Sequence, residues 1–236
     1  MIYNKISVIT TTKRLNCINN IISNFLRQSL EDKELIIVIN NDDINISEYY
    51  SYTKNINNIY IYKLSENITL GTCLNFASQK CNYDIIAKFD DDDYYGSFYL
   101  NEVINTFLKI DCQVIGKTKT FLYFEKYKKL MLKKLGIEKS LVSTVLGSTL
   151  CFKIDVLDKV KFRDVNIRED KYFNDDCIKN GYSIYSTSIY NHIVFKHANI
   201  NEHTFKYDLE FLIKLSSSIK DNINFSECFA LVDKIK

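Results

Sequence analysis

The sequence predicts an α/β fold: a mostly parallel central sheet with helices on both faces. Three observations carry that expectation. Strand-like and helix-like apolar patterns alternate through the first half, one strand pattern is a continuous apolar run, and four consecutive aspartates, Asp90 to Asp93, follow another such run. Strand and helix in alternation imply parallel strands joined by right-handed crossovers. All strand carboxyl ends then share one edge, where open sheets of this kind bind ligands.

Ile6–Thr10 reads as the first strand. Leu15–Ser29 reads as a helix because Leu15, Ile18, Ile22, Phe25 and Leu26 share one helical face. Glu34–Asn40, with Ile36–Ile39 at its centre, suits a strand buried on both faces. A polar segment precedes a third strand at Ile59–Leu64, a helix at Leu70–Lys80 and a fourth strand at Tyr83–Phe89. This arrangement lines one crevice with Thr11, Asn40, Asn41, Ser65 and the aspartates.

A helix is expected at Ser97–Ile110, two strands within Gln113–Phe124, and a further strand at Gly147–Lys153. The lysine-rich stretch Glu125–Ser140, with Leu130, Met131, Leu132 and Leu135 interleaved, reads as a solvated helix or lid in which Glu125 pairs with Lys129. Its alternative is a segment meeting an acceptor or a membrane surface through Lys126–Lys139. Glu169–Asn180 reads as a helix closed by Gly181, followed by strands at Ser183–Ser188 and Tyr190–Lys196 and a last helix at Thr204–Lys220.

Composition narrows the function classes. A net charge of +2 with balanced acids and bases speaks against nucleic-acid binding, which calls for a strongly basic face. The seven cysteines are scattered and never spaced C-x-x-C, so they read as apolar fillers in a reducing compartment. No apolar stretch reaches the roughly 20 residues of a membrane span, and Met1–Lys5 lacks the tracts of a secretory signal. The expected location is cytoplasmic.

Four adjacent carboxylates repel one another, so a chain keeps them either in a solvated turn or around a cation. Hard ions such as Mn²⁺ or Mg²⁺ suit oxygen ligands and share them with substrate phosphates. Tyr94, Tyr95 and Tyr99, just beyond, read as packing beneath the turn rather than stacking on a ligand.

The order of several pieces resembles glycosyltransferase family 2, inverting enzymes of the nucleotide-diphospho-sugar transferase (GT-A) fold, whose N-terminal half is Rossmann-like. Ser7–Arg14 is similar to the family's first strand and T-x-x-R turn, without the usual proline. Glu34–Asn41 is similar to its second strand, Glu66-Asn67 with Leu70-Gly71 and Asn75 to a following segment, and Phe89–Asp93 to its D-x-D-D signature. The resemblance spans about residues 5 to 200.

It implies a nucleotide-sugar site of Thr11, Arg14, Asn40, Asn41, Asp42, Asn67, Gly71, Asn75, Asp90 and Asp91. Asp90 would meet the ribose or base side, Asp91 holds the variable position, Asp92 would ligate Mn²⁺ or Mg²⁺, and Asp93 would orient the turn. It also implies that Asp170, with Glu169 as fallback, is the catalytic base, because the family opens a late helix with such a pair. The alternative is that both are first-turn acids complementing the helix dipole. His203 is implied as a further metal ligand, with His197 second. Two departures touch donor identity: Asn40 and Asn41 stand where relatives often carry an aspartate for uracil, and Leu74 where many carry an arginine.

The implied activity is metal-dependent, inverting transfer of one sugar from a nucleotide donor, UDP-linked, to a hydroxyl of a surface glycan, a lipid-linked saccharide or a protein. Processive relatives carry Q-x-x-R-W, and this chain has no tryptophan. The alternatives are an inactive sugar- or glycan-binding domain and a sugar nucleotidylyltransferase, whose glycine-rich first loop is missing here. A single domain over 1–236 is expected, divided into a nucleotide-sugar-binding half (1–110), an acceptor and catalytic half (111–204) and a helical tail (205–236).

Overall fold

The computed structural model describes residues 4–199 and 208–234. Strands β1 (Ile6–Thr12), β2 (Lys33–Ile39), β3 (Ile59–Lys63) and β4 (Ile85–Lys88) lie parallel in the order β3-β2-β1-β4. Because successive strand side chains point to opposite faces, the apolar run of β2 serves two cores at once. Leu35, Ile37 and Ile39 join Ile6 and Val8 against α1 (Ile18–Arg27) and α4 (Tyr99–Lys109). Ile36 and Val38 join Ile9 and Ile86 against α3 (Leu70–Gln79) and α5 (Glu169–Lys179). Each such fully buried side chain contributes about 1.5–3 kcal/mol.

The sheet continues past residue 110. Strand β10 (Cys151–Lys153) lies antiparallel between β4 and β6 (Val114–Gly116), then come β11 (Ile184–Ser186), parallel to β6, and β9 (Ser140–Val142) at the edge. The order reverses at β1, with β2 on one side and β4 on the other, so the gap between the carboxyl ends of β1 and β4 is the switch point where a ligand fits.

A second sheet, ordered β13-β8-β7-β12-β5, is built from β5 (Tyr94–Tyr95), β7 (Phe121–Phe124), β8 (Lys129–Lys133), β12 (His192–Lys196) and β13 (Ser216–Lys220). It corrects two expectations. The lysine-rich stretch is no helix: a 3-10 turn at Glu125–Tyr127 and Lys128 at φ 46° fold β8 back on β7, burying Leu130 and Met131. Lys129 therefore pairs with Asp221 and not with Glu125. Likewise, of the helix expected over Thr204–Lys220, the described residues form α6 (Leu209–Lys214), after which the serine run, poor in helix propensity, forms β13 against β8. The tail ends in the short α7 (Phe229–Val232).

Two smaller differences concern helices. Leu26 is 52% exposed while Asn24 takes the buried face of α1. The polar stretch after β2 holds a helix, α2 (Ile46–Thr53), capped by the Asn45 side chain. The seven cysteines are free thiols, six of them buried, as fillers should be. Among the described residues, no helix is long and apolar enough to cross a membrane.

Candidate active site

The aspartates occupy a bend between β4 and β5, and the exposure of their side chains alternates along it. The side chains of Asp90 and Asp92 are 37% and 17% exposed, those of Asp91 and Asp93 9% and 3%. The first pair faces a cleft of about 940 Å³; the second pair anchors the turn.

Asp91 accepts hydrogen bonds from Thr12 Oγ1 (2.6 Å) and Arg14 Nε (3.2 Å), with a further contact to the same guanidinium. The turn is thereby fixed to the end of β1 across the switch point. Asp93 accepts from the Phe195 amide at 2.9 Å. Its other oxygen has no hydrogen bond among the described residues and stands 3.4 Å from His192 Nε2. Burial, with Asp92 and Asp90 alongside, pushes the Asp93 carboxyl well above the usual range. Burial and nearby Lys117 bring His192 down to about 3. The turn's backbone is held from α1, where Asn20 donates to the carbonyls of Asp91 and Asp93 (2.9 Å each) and Asn24 donates to that of Asp93 (2.8 Å) while accepting from the Tyr95 amide. Tyr94, Tyr95 and Tyr99 are buried and pack under the turn, Tyr95 stacking on Phe89 at 3.6 Å.

Asp92 is the member of the turn held most firmly as the ion. Its carboxylate stands 3.0 Å from His197 Nε2 and 2.9 Å from the Arg14 guanidinium. Burial would raise its pKa, but the His197 hydrogen bond and the charge of Arg14 prevail and bring it down to about 2. No group of three or more metal-ligating side chains is preassembled among the described residues. Asp92 at the cleft wall and His197 beside it nevertheless offer one oxygen and one imidazole donor, a fit for a hard divalent ion that takes its remaining ligands from a diphosphate and water. His203 lies outside the described residues.

Opposite the turn, Gly147 and the first turn of α5 form the other wall. Arg168 enters this helix in the left-handed region (φ 67°), which turns the chain so that Glu169 and Asp170 head the helix. Glu169 is 8% exposed and pushed up by burial, with Lys88 opposing. Asp170 is half-buried, and its Oδ1 accepts from the Lys171 amide at 2.7 Å.

Of the residues expected to bind donor, Thr11, Arg14, Asn40, Asp90 and Asp91 line the cleft. Asn40 is buried, and its amide donates to the Ser65 carbonyl at 2.6 Å. Asn41, Asp42, Asn67, Gly71 and Asn75 are not among the lining residues. Asn41 donates to the Lys13 carbonyl and accepts from the Asp43 amide, and Asp42 accepts from Ser65. Asn75 bonds both the carbonyl and the amide of Phe162, and a Cβ at Gly71 would stand 1.8 Å from the Arg163 carbonyl oxygen. The last two thus lock α3 to the segment preceding α5 and do not face a ligand. The sequence pattern gives no site role to Thr12, Asn20, Asn24, Lys88 or His192.

At its far end the cleft is walled by the second sheet and α6, through Leu122, Leu135, Val194, Phe211, Leu212 and Leu215, with Lys133 and Lys196 between them.

Residues 7–154 match the model of the family described as Glycosyl transferase family 2. Over 118 residues the chain is 36% identical to the O-antigen biosynthesis glycosyltransferase WbnJ of Escherichia coli, a match covering 49% of this chain and 46% of that protein. The chain therefore matches about half the length of this curated relative. Among solved structures it resembles S. aureus TarS 1–349 in complex with UDP-GlcNAc, with TM-score 0.69 at 16% identity, covering 87% of this chain and 62% of that one. It also resembles the mannosyltransferase PcManGT from Pyrobaculum calidifontis in complex with GDP-Man and Mn²⁺, with TM-score 0.60 at 14% identity, covering 83% and 57%. At such identities the likeness establishes the fold, GT-A, and nothing finer.

Proposed function

From the premise that this chain belongs to glycosyl transferase family 2, we propose that it transfers a single sugar from a UDP-sugar to a hydroxyl acceptor, with inversion and with the help of Mn²⁺ or Mg²⁺. One observation carries the reading: Asp92, to which His197 is bonded, and the helix-heading Asp170 line one cleft at the switch point of the sheet. A pure binding domain needs no second carboxylate opposite the first.

In this reading Asp90, the most open carboxylate of the turn, accepts from the ribose of the donor, and Arg14 keeps Asp91 and Asp92 in register. Asp92 and His197 are the protein's metal ligands, and a bound divalent cation supplies positive charge against the negative charge that develops on the leaving diphosphate. Asp170 accepts the proton of the acceptor hydroxyl as that oxygen attacks the anomeric carbon opposite the diphosphate, whose bond to the sugar breaks. Relatives support the donor and metal: TarS is described with UDP-GlcNAc and PcManGT with Mn²⁺, although PcManGT carries GDP-Man. The O-antigen role in the name of WbnJ supports a surface-glycan product. Among the acceptors open to this enzyme, the apolar far wall favours a lipid-linked saccharide.

The test is Asp170→Asn in a UDP-sugar panel scored by UDP release. Transfer should fall by roughly 10²–10⁴-fold with UDP binding and thermal stability intact; a rate within a few-fold of wild type removes Asp170 as the base.

A further inference from the structure

The far end of the cleft combines two features that the chemistry at Asp92 and Asp170 does not use. One is apolar surface: Leu135 and Phe211 line this end at 64% and 56% exposure, beside Leu212 and Leu215. Single exposed apolar side chains need no explanation, but a group of them on one concave wall marks a surface that meets a ligand or partner. The other feature is a cation. Along β8, Met131 packs with Leu122, Phe124 and Leu209 against Leu212 of α6, and side chains two apart share a face of the strand. Lys133 therefore leaves β8 on that apolar side, half-buried, and reaches the cleft. Its Nζ donates to the Thr118 carbonyl at 3.1 Å, and no carboxylate pairs with it among the described residues. An ammonium carries three donors, which one carbonyl does not satisfy. Burial lowers its pKa with nothing opposing. The donor side differs: Arg14 is held by Asp91 and Asp92, Lys88 by Asp90, and Lys196 has Asp93 nearby. A half-buried cation without a counter-charge is costly, and an anion seated beside the apolar wall removes that cost.

We propose that Lys133 holds the phosphate of an acceptor whose saccharide is joined to its lipid through a phosphate ester, the lipid chain starting across Leu135, Phe211 and Leu215. This rests on the reading of the chain as a transferase to a lipid-linked saccharide, and names the group by which that acceptor is held. The ammonium and the apolar wall are needed together only by a ligand that is anionic at one point and apolar beyond it. A soluble anionic saccharide has no use for the wall, and a neutral glycolipid has none for the ammonium.

The experiment is calorimetric titration of farnesyl phosphate, inorganic phosphate and farnesol into protein loaded with UDP and Mn²⁺, so that the donor site is closed to them. Farnesyl phosphate should bind, and the other two far more weakly. Lys133→Met should weaken farnesyl phosphate by roughly tenfold to a hundredfold, the worth of hydrogen bonds to a charged group, and leave farnesol and UDP unchanged. Lys133→Arg keeps the wild-type affinity, and Phe211→Ser weakens farnesyl phosphate without changing inorganic phosphate. Lys133→Gln retains a donor for the Thr118 carbonyl and carries the test if Lys133→Met does not fold. Equal binding of farnesyl phosphate by wild type and Lys133→Met overturns the inference, as does inorganic phosphate binding as tightly as farnesyl phosphate. A loss of UDP affinity in Lys133→Met also overturns it and assigns the lysine to the donor. If wild-type protein does not bind UDP, the failure belongs to the transferase reading; if it does and Lys133→Met changes nothing for farnesyl phosphate, the failure belongs to Lys133.

Discussion

Replacing Gly147 with alanine puts a methyl group where Asp170 already stands. A Cβ at this position would lie 2.5 Å from Asp170 Oδ2 and 2.8 Å from its Cβ and Cγ. Carbon contacts settle at about 3.5–4.0 Å, so Asp170 must retreat by roughly 1 Å. Rotating the carboxylate cannot relieve the clash, because the Asp170 Cβ is fixed to the first turn of α5 and Oδ1 is held by the Lys171 amide. A displacement of about 1 Å at a reacting group costs on the order of 10²-fold in rate, and overpacking costs roughly 1–3 kcal/mol of stability. Gly147→Ala should therefore lower kcat about 100-fold while UDP, bound at the opposite wall, keeps its affinity. The assay is steady-state transfer beside a UDP titration and a thermal melt on one preparation. A folded variant with kcat within threefold of wild type would refute the placing of the base against Gly147.

Two further predictions concern residues that hold the site without touching ligand. Gly71→Ala should destabilise the fold by about 3 kcal/mol, a fall in Tm of roughly 6–12 °C, because its methyl would collide with the Arg163 carbonyl. UDP affinity per folded molecule should not change, whereas a large loss would return Gly71 to the donor site. His192→Phe tests the neutral histidine beneath the turn. With its folded pKa at about 3 against an ordinary 6.5, the unfolded chain takes up the proton first as pH falls, so stability is full above 6.5 and declines below it. Denaturant melts at pH 7 and pH 5 should show the wild type losing up to about 1.4 kcal/mol per pH unit relative to the variant; parallel curves would mean His192 titrates normally.

The parts of the fold visible in the sequence are those fixed by continuous apolar runs. The first four strands and the helices between Ile18 and Lys109 that cover them followed from apolar spacing, except α2, whose only buried side chains are Tyr49 and Thr53. Of the second sheet, β7 and β12 fell within expected strands, whereas β8 and β13 were hidden, because Lys129–Lys133 has the composition of a solvated helix and the serine run of β13 carries little apolar pattern. Within the site, the position of the aspartate turn and the head of α5 were readable locally. The tertiary partners were not. Asn20 and Asn24 look like ordinary polar helix positions until α1 is docked on the turn, and Lys88 looks like a surface lysine until the fold buries it beside Asp90. Asn75 and Gly71 show the converse. Their place in a family pattern suggested ligand contact, while their hydrogen bonds and close packing join two pieces of chain.

The proposed activity turns on Asp92, and calorimetric titration of UDP into wild-type and Asp92→Asn protein, each with and without Mn²⁺, tests it most directly. Micromolar binding that requires the metal and disappears in the variant is the predicted result. Metal-independent UDP binding that the variant retains, or the absence of binding by any of UDP, GDP, dTDP and CMP, would contradict it, and the aspartate turn would then be an anchor between α1, β1 and β12 alone.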